Sequence, residues 1–198
     1  LSLHDALPIY PPVERYERAT VLVEVGDGSS YVVDVFLVDG GRRHDQSWHS
    51  ALVEPVLPER DWQVQEAGTA AGPDVAYGSS YVNVRGREVT DALCYITDVR
   101  RLTTADPARF DWAFGLAEPA GLRLHVVPVG GPVELIYGKG RSPARPVEWK
   151  LPYLFVRREG AEGLSSRFVT VLEPYRGAVA AGITGVRVDG ETVVIERG

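Results

Sequence analysis

Residues 31–50 read YVVDVFLVDGGRRHDQSWHS. Side chains alternate along a strand, so Tyr31, Val33, Val35 and Leu37 share one face. Val32, Asp34, Phe36 and Val38 share the other. Both faces are almost wholly apolar, which predicts a central strand covered on both sides. Asp34 is the exception, and a buried carboxylate requires a partner. Gly40-Gly41 suits a two-residue hairpin turn with positive φ at both positions. Counting outward from that turn pairs Leu37 with His44, Phe36 with Asp45, Val35 with Gln46, Asp34 with Ser47, Val33 with Trp48 and Val32 with His49. This register puts Asp34, Asp45, Ser47 and His49 on one face and His44, Gln46 and Trp48 on the other. His44 and His49 then point to opposite faces, with Cα atoms roughly 16 Å apart at ~3.3 Å per residue. They cannot share one zinc ion, whose ligands lie about 2 Å from the metal. Two readings of the segment stay open. One is a polar sheet face, with His49 bonded to a carboxylate and Trp48 partly covering the core. The other is a sugar-contacting face, with Trp48 as stacking platform and His44, His49 or Asp45 as hydrogen-bonding partners.

Working outward, strand signals dominate. Runs rich in Val, Thr, Tyr and Phe are bounded by Gly, Pro and Asp. They predict strands at 15–25, 30–39, 42–50, 62–65, 92–102, 111–116, 122–128, 133–137, 153–158, 166–173, 184–188 and 191–197. No segment carries a long helical period, and 107–110 is the best short helical turn. Many short strands with turn chemistry between them predict an all-β, antiparallel β-sandwich. Asp189-Gly190 reads as a second hairpin turn. Residues 66–80 and 138–146 read as long surface loops, a common place for function. The organisation expected is a β-sandwich region over 10–128 and a C-terminal β-sheet region over 129–198, joined near 128–132 or inside the second loop.

The 198 residues carry a net charge of −6, with 44% hydrophobic residues. A folded core is therefore expected, and a basic nucleic-acid footprint is not. An anionic substrate would have to meet a local cluster of Arg and Lys. No stretch is long and apolar enough for a membrane-spanning helix. Cys94, the only cysteine, sits in an apolar run and reads as a buried, inert thiol. His125 falls opposite Leu122, Leu124 and Val126 by alternation, and reads as solvated or locally bonded. The templates of serine-hydrolase elbows, zinc-peptidase helices and phosphate-binding loops do not occur. Residues 1–9, LSLHDALPI, match the translation of a common sequencing-adapter oligonucleotide. They are read as adapter-derived, so His4-Asp5 is excluded as half of a metal site.

The stretch 31–50 resembles a segment of bacterial heparinase II/III-like proteins, in which a strand of the type YVVDVFRV runs through a Gly-Gly turn into HDYSFHG. Residues 16–23 fit the family's Y-x-R-x-x-x-x-V strand. Residues 81–84, with Asp98-Val99-Arg100, Trp112 and Leu122-Arg123-Leu124-His125, follow in the family's order. Residues 152–175, PYLFVRREGAEGLSSRFVTVLEPY, resemble its Ser-Ser-x-Phe-Val-x-Val-x-Glu-Pro run. The resemblance spans most of 16–175, and its weight lies in the order of the motifs. Here Gln46 stands for the family's Tyr and Trp48 for its Phe.

Such proteins are polysaccharide lyases, with an α/α toroid followed by antiparallel β-sandwich domains. The resemblance implies β-elimination on uronic-acid-containing glycans, an acidic polysaccharide partner, and a secreted or periplasmic location. The reaction requires a neutralised uronate carboxylate, a base for the C5 proton and an acid for the leaving oxygen. In the family, a catalytic Tyr and His come from the toroid, and a further His and a structural zinc site from early β strands. Those motifs are expected upstream of Tyr10, so no catalytic or zinc residue is transferred. The chain is expected to need the toroid as its partner and to be inactive alone, with no cofactor in this part and a structural zinc in the full-length protein. His44, Trp48, His49, Tyr77 and Tyr81 are the candidate substrate-binding residues. The alternative is a non-catalytic carbohydrate-binding or scaffold β-domain.

Overall fold

The computed structural model describes residues 13–26, 28–50, 53–82, 86–115, 119–142, 150–177 and 182–198. The adapter-like residues 1–9 lie outside them. In chain order the strands are β1 (Arg15–Glu24), β2 (Ser30–Asp39), β3 (Arg43–His49), β4 (Gln63–Val64), β5 (Ser80–Val82), β6 (Glu88–Thr90) and β7 (Ile96–Thr104). They continue with β8 (Ala108–Ala113), β9 (Ala120–Val127), β10 (Val133–Arg141), β11 (Lys150–Glu159), β12 (Ser165–Arg176), β13 (Ile183–Asp189) and β14 (Thr192–Arg197). One sheet runs β1-β2-β12-β9-β8 and the other β3-β11-β10-β7-β4, with every pairing antiparallel. The chain is an all-β sandwich. Both sheets take strands from either side of residues 128–132.

Alternation builds the core. Phe36 and Val38 of β2, Phe110 and Trp112 of β8, Leu124 and Val126 of β9 and Phe168 of β12 face inward from the first sheet. They meet Leu102, Val133, Leu135, Leu154 and Val156 of the second. The outer face of the first sheet is covered by the β13–β14 hairpin, whose Ile183 and Val186 pack on Val127, Val169 and Val171. The outer face of the second sheet is covered by the segment between β4 and β7, through Ala70 and Leu93 on Val99, Ile136 and Phe155. β2 is therefore central and covered on both sides, as its two apolar faces predict. Cys94 is fully buried.

The diglycine segment corrects the expected register. Gly40 and Gly41 do have positive φ, 93° and 76°, but β2 and β3 are not partners. β2 lies between β1 and β12, and β3 pairs with β11 in the opposite sheet. The two glycines turn the chain across the sandwich. The β11–β12 connection crosses beside them, tied by Gly40 N–H to Leu164 O (2.9 Å), Leu164 N–H to Gly41 O (3.0 Å) and Gly160 N–H to Arg42 O (2.9 Å). Residues 32–49 thus meet the later chain through β12, the β11–β12 connection and β11. Asp34 consequently faces His44, Gln46 and Trp48 across the sandwich interior instead of sharing a face with His49.

Four smaller expectations change. Residues 107–110 enter β8, because Ala108, Phe110 and Trp112 alternate into the core. Ala92–Tyr95 is a 3-10 turn capped by Asp91, whose Oδ1 accepts the Leu93 N–H at 2.9 Å. Of the loop placed at 138–146, residues 138–141 are strand and 143–146 lie outside the described residues. β10 runs to Arg141, since Gly138 and Gly140 leave room for the Ile96 side chain. The final hairpin pairs Asp189 with Thr192, so its turn residues are Gly190 and Glu191, one position on. The small β5–β6 sheet had no counterpart in the strand reading.

Candidate functional site

The five candidate residues divide by the face they occupy. His44 is buried. Its Nε2 lies 2.5 Å from the Gly40 carbonyl, to which it donates, leaving Nδ1 to accept from the Ser166 hydroxyl at 2.8 Å. Both ring nitrogens are thereby committed to the corner. Trp48 is half-buried against the inter-sheet core, with the Arg18 guanidinium 5.3 Å from its ring. Beside it, Asp34 accepts from Arg18 Nε (2.7 Å), Thr20 Oγ1 (3.0 Å) and Gln46 Nε2 (2.9 Å). The partner that a buried Asp34 requires is this threefold set of donors. Neither His44 nor Trp48 presents its ring on the outer face of the second sheet.

His49 does. It is exposed at the end of β3, with its ring centroid 5.3 Å from that of Tyr153 on β11. Tyr153 stacks in turn on Phe155, 6.1 Å away at 7°. These rings edge a recess of about 370 Å³ lined by Ser47, Tyr95, Ile96, Arg141, Tyr153 and Phe155 among others. Tyr77 packs edge-on against Tyr95, centroids 5.3 Å apart. Two of the candidates, His49 and Tyr77, therefore each pack against a ring that lines this recess, without lining it themselves. Tyr81 is exposed on β5 and does not line it.

Arg141 is among the residues that line this recess. Arg141 and Lys150 are direct cross-strand partners on β10 and β11. Like charges directly opposite each other are unfavourable in a sheet. Lys150 turns toward Thr97 Oγ1 (3.2 Å) and Asp98 (3.6 Å). Arg141 is exposed, and its carbonyl accepts from the Tyr153 hydroxyl at 3.1 Å. That hydroxyl is held above the ordinary tyrosine range by burial. The Tyr95 and Tyr153 rings offer apolar plates, and Arg141 offers a planar fork for a carboxylate or sulfate. Tyr153 and Arg141 were not singled out by sequence reasoning, because the β3–β11 pairing that brings them beside His49 spans about a hundred residues.

Two other polar clusters also escaped the sequence reading. On the outer face of the first sheet, His125 Nε2 lies 3.1 Å from Glu173 Oε2, and Glu173 Oε1 accepts the Ile183 N–H at 2.8 Å. His125 is locally bonded, as expected, and buried. Burial lowers its pKa below 6.5 despite Glu173, and Arg109 and Arg123 add to the effect. Near the β7–β10 pair, Glu54 accepts from the Tyr137 hydroxyl and from Lys139 Nζ at 3.0 Å. Burial alone would raise the Glu54 carboxyl, but these donors outweigh it and hold it below its usual range. Burial and the same Glu54 bond raise Tyr137 well above the usual phenol. Asp98, with φ 54°, is the positive-φ non-glycine among the described residues and sits at the bulge opposite this cluster.

Among the described residues, no group of three His, Cys, Asp or Glu side chains is placed to hold a metal ion. No family model matches the chain. No curated protein matches it either.

Proposed function

We propose that this sandwich is the glycan-contacting β-portion of a polysaccharide lyase of the heparinase II/III type, acting on acidic, uronate-containing chains. The observation that carries the reading is the recess lined by Tyr95, Tyr153, Phe155 and Arg141, with His49 packed beside Tyr153. A sugar ring has an apolar face for the aromatic plates, and its carboxylate finds the guanidinium fork. The order of motifs along 16–175 supports the same family. Neutralising the uronate charge is the first requirement of β-elimination, and Arg141 suits that role. The base and acid of the reaction are assigned to the toroid, so the chain by itself is a binding partner in the chemistry. Tyr153, with its proton held tightly by burial, serves as a platform instead of a base.

The test is retention on alginate and heparan sulfate affinity gels. The wild type is expected to be retarded, and His49→Ala and Tyr153→Ala to run closer to an inert marker. Equal mobility of all three contradicts the groove. Absorbance of an unsaturated product is expected to stay flat with either glycan, and clear turnover contradicts the division of labour. A scaffold reading is favoured by one observation: Tyr16 and Leu22, on one face of the edge strand β1, are 59% and 63% exposed. It predicts no retention on either gel.

A further inference from the structure

A second recess, of about 510 Å³, opens at the end of the first sheet, between the starts of β2 and β13 and the ends of β8 and β12. Its walls include Ser30, Phe114, Glu173, Tyr175, Arg176 and Arg197. Tyr175 is fixed there from three sides. Its hydroxyl donates to Asp111 Oδ1 at 2.8 Å. The Arg123 guanidinium sits 4.5 Å from its ring centroid. Its cross-strand partner is Gly121, where a Cβ would overlap both the Tyr175 hydroxyl and the Trp112 carbonyl. A plate immobilised before any ligand arrives loses little further freedom on binding. Phe114 stands at the same recess with 41% of its surface exposed, a solvent-facing ring with no role in the core.

The polar wall is Glu173, only 7% exposed. Its oxygens accept from Ile183 N–H and His125, yet a carboxylate offers about four acceptor sites. With Arg123 Nη1 also 3.8 Å from Oε2, some acceptor capacity remains on this carboxylate, which lines the recess. Gly182 completes the fit, since a Cβ there would overlap the Glu173 carboxylate. Aromatic walls with a buried carboxylate acceptor suit a ring that has an apolar face and several hydroxyl donors.

We propose that this recess binds a pyranose residue. It goes beyond the acidic-glycan groove, which lies on the other sheet, and it makes the sandwich bivalent. Two linked sites raise the avidity for a long chain without any new contact.

The test is an amide-resolved NMR titration of the full chain with cellobiose, maltose and chitobiose. At least one of these is expected to shift the amides of Ser30, Gly121, Gly182 and Ile183. Phe114→Ala is expected to weaken that binding by at least about tenfold, while Phe114→Tyr restores it. Tyr153→Ala, in the groove, is expected to leave these shifts unchanged, so the two sites are judged separately. Absence of shifts at these amides with all three sugars overturns the proposal. So does wild-type affinity in Phe114→Ala.

Discussion

Asp34 shows how one residue decides a local structure. Its carboxylate is 1% exposed and gathers Arg18, Thr20 and Gln46. Arg18 is itself half exposed, so removing Asp34 leaves that charge solvated. The cost falls mainly on the Gln46 and Thr20 donors left without an acceptor. Asp34→Ala is expected to lower stability by about 2 kcal/mol, read as a fall in the denaturation midpoint. Trp48 packs against the core, so Trp48→Ala is expected to cost about 2–3 kcal/mol and to leave the affinity of folded protein for uronides unchanged. His125 gives a pH signature. Its folded pKa lies below the ordinary 6.5, so the unfolded chain binds the proton more readily. Its contribution is fully present above about pH 6.5 and is lost as the pH falls below that value toward the folded pKa. His125→Gln is expected to flatten the dependence of the melting temperature on pH in that window. An unchanged slope would show that another group carries it.

The elements record where sequence reasoning holds and where it stops. Alternation is local, and it placed β2 between two covered faces, turned His44 and His49 to opposite sides, and set His125 beside Arg123. Pairing is not local. Gly40-Gly41 has the positive φ of a hairpin turn, yet it serves as a corner, because both edges of β2 are taken by β1 and β12. Nothing within 31–50 separates a turn that folds a strand on itself from one that carries it to the facing sheet. The same limit hid part of the site. His49 and Tyr77 were legible as exposed polar and aromatic residues, while Tyr153 and Arg141 reach them only through the β11 pairings. The Gly138–Arg141 stretch was hidden for another reason. Its glycines suggested a loop, and their purpose, room for Ile96, depends on a neighbouring strand. The corner makes its own prediction. Gly41→Ala forces a side chain into positive φ and is expected to destabilise the chain by about 1 kcal/mol or more, seen as a lower urea midpoint with an unchanged slope.

At the scale of the whole molecule, the later chain holds the earlier one. β11 and β12 each pair with a strand from residues 30–49, so the two sheets share one bent ribbon at their common side. That arrangement sets the outer face of β3 and β11 as a floor, with aromatic rings standing on it and Arg141 among the residues that line the recess there. An overall charge of −6 opposes an anionic chain at long range, so any affinity for one must come from this local patch and weaken with salt. Calorimetric titration of a defined uronate hexasaccharide, at low and at moderate salt, puts the claim to its most direct trial. The account predicts measurable binding that falls with added salt, and a loss of about tenfold in Arg141→Gln, whose exposed side chain leaves the core untouched. Equal affinity in the wild type and Arg141→Gln, or no heat of binding in either, would contradict it.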